Sequence, residues 1–273
     1  MTNLVSTEWL EQHLNEVRVV DASWYMPDEK RQPAVEFETG HIPGAVFFDI
    51  DGIADRASGL PHMLPTPGEF SKAAGALGIG DGQTVVVYDG SGLFSAPRVW
   101  WTLKVMGHEN VKVLDGGLPK WKREGRAIEI GPAHPSAKFL TAIKKPALVR
   151  DFDAVMGIVK DKNAQILDAR SPARFNAQEP EPRAGVRGGH MPGALNVHYR
   201  KLIAEDGTLK PPEELRAVFD AVNLDRPIVT TCGSGLTAAI LMLALDEIGA
   251  PNVAVYDGSW TEWGGRPEAP VVT

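Results

Sequence analysis

The chain contains one cysteine, Cys232, at the head of Cys232-Gly233-Ser234-Gly235-Leu236-Thr237. Before it lies Pro227-Ile228-Val229-Thr230-Thr231, a β-branched run that reads as a buried strand. After it, Ala238 to Ile248 is rich in helix formers and stops at Gly249. A strand, a glycine-rich turn and a helix make an α/β unit, and such sheets place their sites beyond the carboxyl ends of the strands. Small residues there let consecutive backbone N–H groups converge on one point, while the helix N-terminus adds partial positive charge. That environment favours a thiolate over a thiol and would hold the anion of a persulfide equally well. Position alone leaves a second reading open, in which Cys232 is a small buried hydrophobe.

One cysteine makes neither an intramolecular disulfide nor a thiolate-rich zinc site, and the seven histidines lack metal-ligand spacing. No metal and no organic cofactor are expected. The 273 residues carry a net charge of -7 with acids and bases interspersed, so a nucleic-acid partner is not expected. The N-terminus has no secretory pattern and no stretch is apolar for long enough to cross a bilayer. The chain therefore reads as a cytoplasmic protein that needs no membrane.

The elements that must position Cys232 occur twice. Val19-Val20-Asp21-Ala22-Ser23 returns as Ile166-Leu167-Asp168-Ala169-Arg170, and Gly40-His41-Ile42-Pro43-Gly44-Ala45 returns as Gly189-His190-Met191-Pro192-Gly193-Ala194. Val87-Tyr88-Asp89-Gly90-Ser91-Gly92-Leu93 matches the stretch Thr230 to Leu236, and Asp115-Gly116-Gly117-Leu118 with Trp121 matches Asp257-Gly258-Ser259-Trp260 with Trp263. The order is conserved between the copies, which implies a duplicated domain. The expected division is residues 1–130, a turn-rich linker over 131–147, and residues 148–273. Trp100, Trp101, Trp260 and Trp263 are read as packing residues between domains.

The Cys-Gly-Ser-Gly-Leu-Thr-Ala loop, the Gly-His-Met-Pro-Gly-Ala block and the closing Asp-Gly-Ser-Trp-Thr-Glu-Trp resemble the tandem-rhodanese sulfurtransferases over nearly the whole chain. The resemblance implies an α/β fold of two similar rhodanese-like domains, each a mainly parallel sheet flanked by helices. It implies that Cys232 is the sulfur-carrying nucleophile and that the first domain is silent, with Asp89 in place of its cysteine. The neutral Gly233-Ser234 resembles the 3-mercaptopyruvate branch, because thiosulfate-preferring members usually carry basic residues there. A thiosulfate:cyanide sulfurtransferase is the alternative, followed by a non-catalytic persulfide carrier. A rhodanese-like phosphatase would need an arginine at Ala238.

An α-keto carboxylate calls for a guanidinium fork. Arg174 and Arg183 match the positions at which that branch holds its substrate, with Arg187 nearby and Gly233, Gly235, Leu236 and Thr237 lining the loop. The resemblance also implies a proton relay of Ser234 with a first-domain histidine, assigned to His41, and an acid. The acid's place falls near Gln32, so Asp28, Glu36 or Glu38 would have to substitute. The expected partners are a small-molecule sulfur donor and a thiol acceptor, among them a thioredoxin-like protein.

Overall fold

A computed structural model describes residues 2–273 and divides them into two compact units. The first contains residues up to Asp55, Pro65–Lys145 and Ala204–Leu209; the second contains Arg56–Leu64, Pro146–Ile203 and Lys210–Thr273. Each copy of the repeat thus places one short segment in the other unit. Of the expected linker, residues 131–145 belong to the first unit and the last two to the second. Its backbone is tied to the first unit at Lys138 N–H to the Gly75 carbonyl (2.9 Å), Ile143 N–H to Met106 (2.9 Å) and Lys145 N–H to Val105 (2.7 Å).

The first unit has strands β1 (Leu4–Val5), β2 (Arg18–Asp21), β3 (Val46–Phe47), β4 (Val85–Tyr88) and β5 (Val111–Leu114), all parallel, in the order β1-β5-β4-β2-β3. The second has β6 (Val149–Arg150), β7 (Gln165–Asp168), β8 (Leu195–Asn196), β9 (Ile228–Thr231) and β10 (Val253–Tyr256), parallel in the matching order β6-β10-β9-β7-β8. Parallel sheets covered on both faces need strands that are apolar throughout, and β4 and β9 are buried at every position. Helix Ala238–Glu247 follows β9 and is almost wholly buried, which explains its near-continuous Ala-Ile-Leu-Met composition. Gly249 ends it at φ +84°, where only glycine is unstrained. Trp260 and Trp263 pack within the second unit's own core, beside Phe152, Val229 and Tyr256. Among the described residues, no helix is long and apolar enough to cross a membrane.

Asp21 and Asp168 close the matched strands β2 and β7, and each accepts the N–H of the residue two ahead, Ser23 (2.8 Å) or Arg170 (2.9 Å). Asp168 is neutralised by the buried Arg170 guanidinium (2.6 Å). Asp21 has no such cation among the described residues, and burial pushes its carboxyl up to about 6. A raised carboxyl stabilises the fold only while it stays protonated. The contribution is complete below the unfolded value near 4 and is lost as pH rises through about 6. Asp21→Asn is therefore expected to raise the urea midpoint at pH 8 by the equivalent of up to about 3 kcal/mol, with the gain vanishing near pH 4. Parallel urea titrations at the two pH values check this.

Candidate active site

Cys232 lies at the carboxyl end of β9 and is 2% exposed. Its N–H donates to Ser259 Oγ (3.2 Å) and its carbonyl accepts from Trp260 N–H (2.9 Å). The Gly233 carbonyl accepts from both Thr261 N–H (2.8 Å) and Thr261 Oγ1 (2.6 Å). The turn after β10 thus fastens the loop from below. Gly235, at φ +77°, bends the loop into the following helix.

The first copy shows what such a loop does with an anion. Asp89 is fully buried; its Oδ1 accepts from Ser91 N–H (2.8 Å) and its Oδ2 from Phe94 (2.8 Å), Ser95 (2.9 Å) and Ala96 (2.8 Å). Four amides converge on one carboxylate, so the silent loop is filled by its own side chain. The matching amides of the second copy belong to Ser234, Thr237, Ala238 and Ala239, with Cys232 in the place of the carboxylate. Ala239 N–H turns instead to the Leu236 carbonyl (3.2 Å). Leu236 is buried, and Thr237 is half-buried just before the helix.

Arg174 reaches this loop, and Arg183 reaches the residue that fastens it. A methyl group built on Gly233 would lie 3.0 Å from Arg174 Nη2, so the absent side chain leaves the space that the guanidinium occupies. Arg183 Nη1 lies 3.5 Å from Thr261 Oγ1, the hydroxyl that holds Gly233. Arg174 Nη2 donates to Glu181 Oε2 (2.5 Å), and Glu181 Oε1 accepts from Arg170 Nη1 (2.8 Å). Arg170 in turn lies over the Trp260 ring at 4.2 Å. A buried chain of alternating charge therefore connects β7 to the arginine beside the nucleophile, and sequence reasoning had found only that arginine. Arg187 is spent on the carbonyls of Trp263, Gly264, Arg266 and Ala269, which makes it a structural residue.

His41, where the relay histidine is expected, has a packing role in the first unit. His41 is buried in the first unit, stacked on Phe37 at 3.9 Å, with Nδ1 2.7 Å from the Phe37 carbonyl. His190 repeats this in the second unit, stacked on Phe175 at 3.7 Å with Nδ1 2.9 Å from its carbonyl. Both histidines also form a lone antiparallel bridge, to Glu129 and Val272 respectively. Identical use in both copies marks a device for pinning chain to chain. Of the acids considered, Glu36 is held by Arg31 (2.5 Å), which lowers its carboxyl, and by Tyr25 (3.0 Å).

His62 is the histidine that meets the cysteine loop. It belongs to the segment Arg56–Leu64 of the second unit, is 4% exposed, and places Nδ1 3.3 Å from the Ser234 carbonyl. A carbonyl only accepts, so Nδ1 donates in this contact. Two residues on, Leu64 N–H donates to Asp257 Oδ2 (2.9 Å). In the first unit Leu209 N–H donates to Asp115 Oδ1 (2.8 Å), and Gly207 takes the place of His62. Both positions have positive φ, +62° for His62 and +86° for Gly207, a backbone region in which glycine is the ordinary choice. The correspondence of His62 with Gly207 comes from the backbone and not from the repeat blocks, so the sequence carries no signal for His62.

The Rhodanese-like domain signature matches residues 6–124 and 151–266. The chain is 46% identical to 3-mercaptopyruvate sulfurtransferase of Escherichia coli strain K12, covering 99% of this chain and 98% of that protein. It is 45% identical to mitochondrial thiosulfate/3-mercaptopyruvate sulfurtransferase 1 of Arabidopsis thaliana, over 98% of this chain and 77% of that one. The crystal structure of SseA from Escherichia coli, a 3-mercaptopyruvate sulfotransferase with the rhodanese fold, superposes with a TM-score of 0.88 at 43% identity, covering 95% of this chain and 99% of that one.

Proposed function

Because this chain belongs to the rhodanese family, with the domain present twice, we propose that it transfers sulfur from 3-mercaptopyruvate through a Cys232 persulfide to a thiol or cyanide, releasing pyruvate. The observation that supports this donor best is the pair of guanidiniums beside a neutral loop, Arg174 against Gly233 and Arg183 at Thr261. A fork of this kind matches a carboxylate flanked by a keto oxygen.

In the proposed cycle the Cys232 thiolate attacks the donor sulfur, the carbon–sulfur bond breaks, and its electrons leave as the enolate of pyruvate. The donor thiol loses one proton and the enolate carbon gains one, so the net requirement is a proton moved from sulfur to carbon. His62 Nε2 takes that proton and returns it, with Ser234 beside the path. The persulfide anion stays in the ring of amides that Asp89 fills in the silent copy. A second thiol then attacks the outer sulfur. A thioredoxin-like dithiol suits this step chemically, since its second thiol would release the sulfur as sulfide. The proposal includes a cytoplasmic location, where a reducing environment keeps Cys232 and its acceptors as thiols.

Turnover with 3-mercaptopyruvate and with thiosulfate, measured side by side, tests the donor. A higher kcat/KM with 3-mercaptopyruvate is expected, and preference for thiosulfate would overturn the assignment. Arg174→Lys is expected to lower kcat/KM for 3-mercaptopyruvate roughly 10- to 100-fold, mostly through KM, because a point charge replaces a two-pronged contact. Steady-state kinetics of the variant check this.

A further inference from the structure

The first unit contains a cavity of about 270 Å³ at the carboxyl ends of β2 and β4, lined by Asp21, Ser23, Tyr25, Arg31, Glu36 and Lys122 among others. Its origin can be read from the repeat. Asp21 matches Asp168, Ser23 matches Arg170 and Leu118, also in the lining, matches Trp260. In the second unit Arg170 and Trp260 occupy the corresponding positions. Arg170 donates from Nε to both Asp168 oxygens (3.1 and 3.0 Å) and from Nη2 to Asp168 Oδ2 (2.6 Å), beneath the Trp260 ring. The first unit keeps the acid and has lost both the guanidinium and the indole.

Loss of those two groups leaves a buried carboxylate facing a void. Asp21 is 2% exposed, and its bonding is to Ser23 and Tyr88 rather than to a cation. Around the cavity the charge is ordered. Asp21 lies deep, whereas Arg31 and Lys122 add positive charge, with Arg31 held by Glu36 (2.5 Å) and lying 3.5 Å over the Tyr25 ring. Tyr25 itself packs its hydroxyl over Gly90, where a side chain would collide with it. An acid with cations elsewhere in the lining is complementary to a molecule with positive charge at one end and negative charge at the other.

We propose that this cavity binds a small zwitterion bearing a guanidinium group and a carboxylate, the guanidinium on Asp21 as Arg170 sits on Asp168, the carboxylate toward Lys122. The size agrees, since the cavity is smaller than the roughly 300–1,000 Å³ of pockets for drug-sized ligands. A planar fork on a carboxylate, enclosed by apolar Phe37, Leu118 and Pro119, is the geometry the second unit realises internally. The site is separate in kind from the sulfur-transfer site and uses none of its residues.

Calorimetric titration of the full chain with L-arginine tests the proposal, with L-citrulline, its uncharged ureido analogue, as the comparison. Saturable binding of one arginine per chain is expected, with citrulline binding at least tenfold more weakly. Ser23→Arg supplies the missing guanidinium in cis and is expected to abolish arginine binding while leaving sulfur transfer unchanged. Leu118→Trp refills the indole's share of the cavity and is expected to weaken binding at least tenfold. Absence of saturable arginine binding, citrulline binding as tightly as arginine, or undiminished binding in either folded variant would each overturn the site.

Discussion

Cys232→Ser is expected to abolish sulfur transfer, with turnover falling by at least about three orders of magnitude, and to remove the extra sulfur that intact mass detects after incubation with 3-mercaptopyruvate. The hydroxyl is close in size to the thiol, and the backbone bonds that hold this residue run through its N–H and carbonyl, so the loop should survive. Cys232→Asp makes an informative companion. The first copy already holds an aspartate at this turn with four amide donors, so that variant should fold well and still be inert. Mass spectrometry settles the matter directly. A sulfur adduct that persists in Cys232→Ser would place the carrier elsewhere.

His62→Ala should lower kcat with 3-mercaptopyruvate by roughly 10²- to 10⁴-fold, the usual contribution of a positioned acid–base group. The effect is donor-specific. Transfer from thiosulfate to a thiolate releases sulfite and moves no proton, so that half-reaction should keep most of its rate. Rapid-mixing measurement of persulfide formation from each donor separates the two. Equal losses with both donors would leave His62 as a packing residue of the Ser234 loop. His62→Gln retains an N–H for the Ser234 carbonyl without a titrating nitrogen, and it should resemble the alanine variant with 3-mercaptopyruvate.

Features carried by local pattern were legible in the sequence. The apolar runs became β4 and β9, the Ala-Leu-rich stretch became the helix Ala238–Glu247, and the repeat placed Cys232 where a strand meets a helix. Arg174 is marked only by the family resemblance, since by itself its local sequence does not separate it from a solvated surface arginine. What stayed hidden joins distant parts of the chain. His62 and Ser234 are 172 residues apart, and no periodicity links them. His41 stands out for the reverse reason, since Gly-His-x-Pro-Gly is conspicuous because it has the same structural task in both copies. Glu181 was passed over because burial, which turns an ordinary glutamate into the hub between Arg170 and Arg174, cannot be read from Glu-Pro-Glu-Pro-Arg.

The exchanged segments have an implication for how this duplication can be taken apart. Residues 56–64 complete the second unit and residues 204–209 the first, so no single cut in the polypeptide yields two whole halves. A gene truncated to residues 146–273 would encode Cys232, Arg174, Arg183 and the entire second sheet, but not His62 or the Leu64 amide that occupies Asp257. The first copy of the repeat thus supplies residues to the second unit whatever its own loop does, and the cysteine loop keeps its His62 contact only where that copy is present.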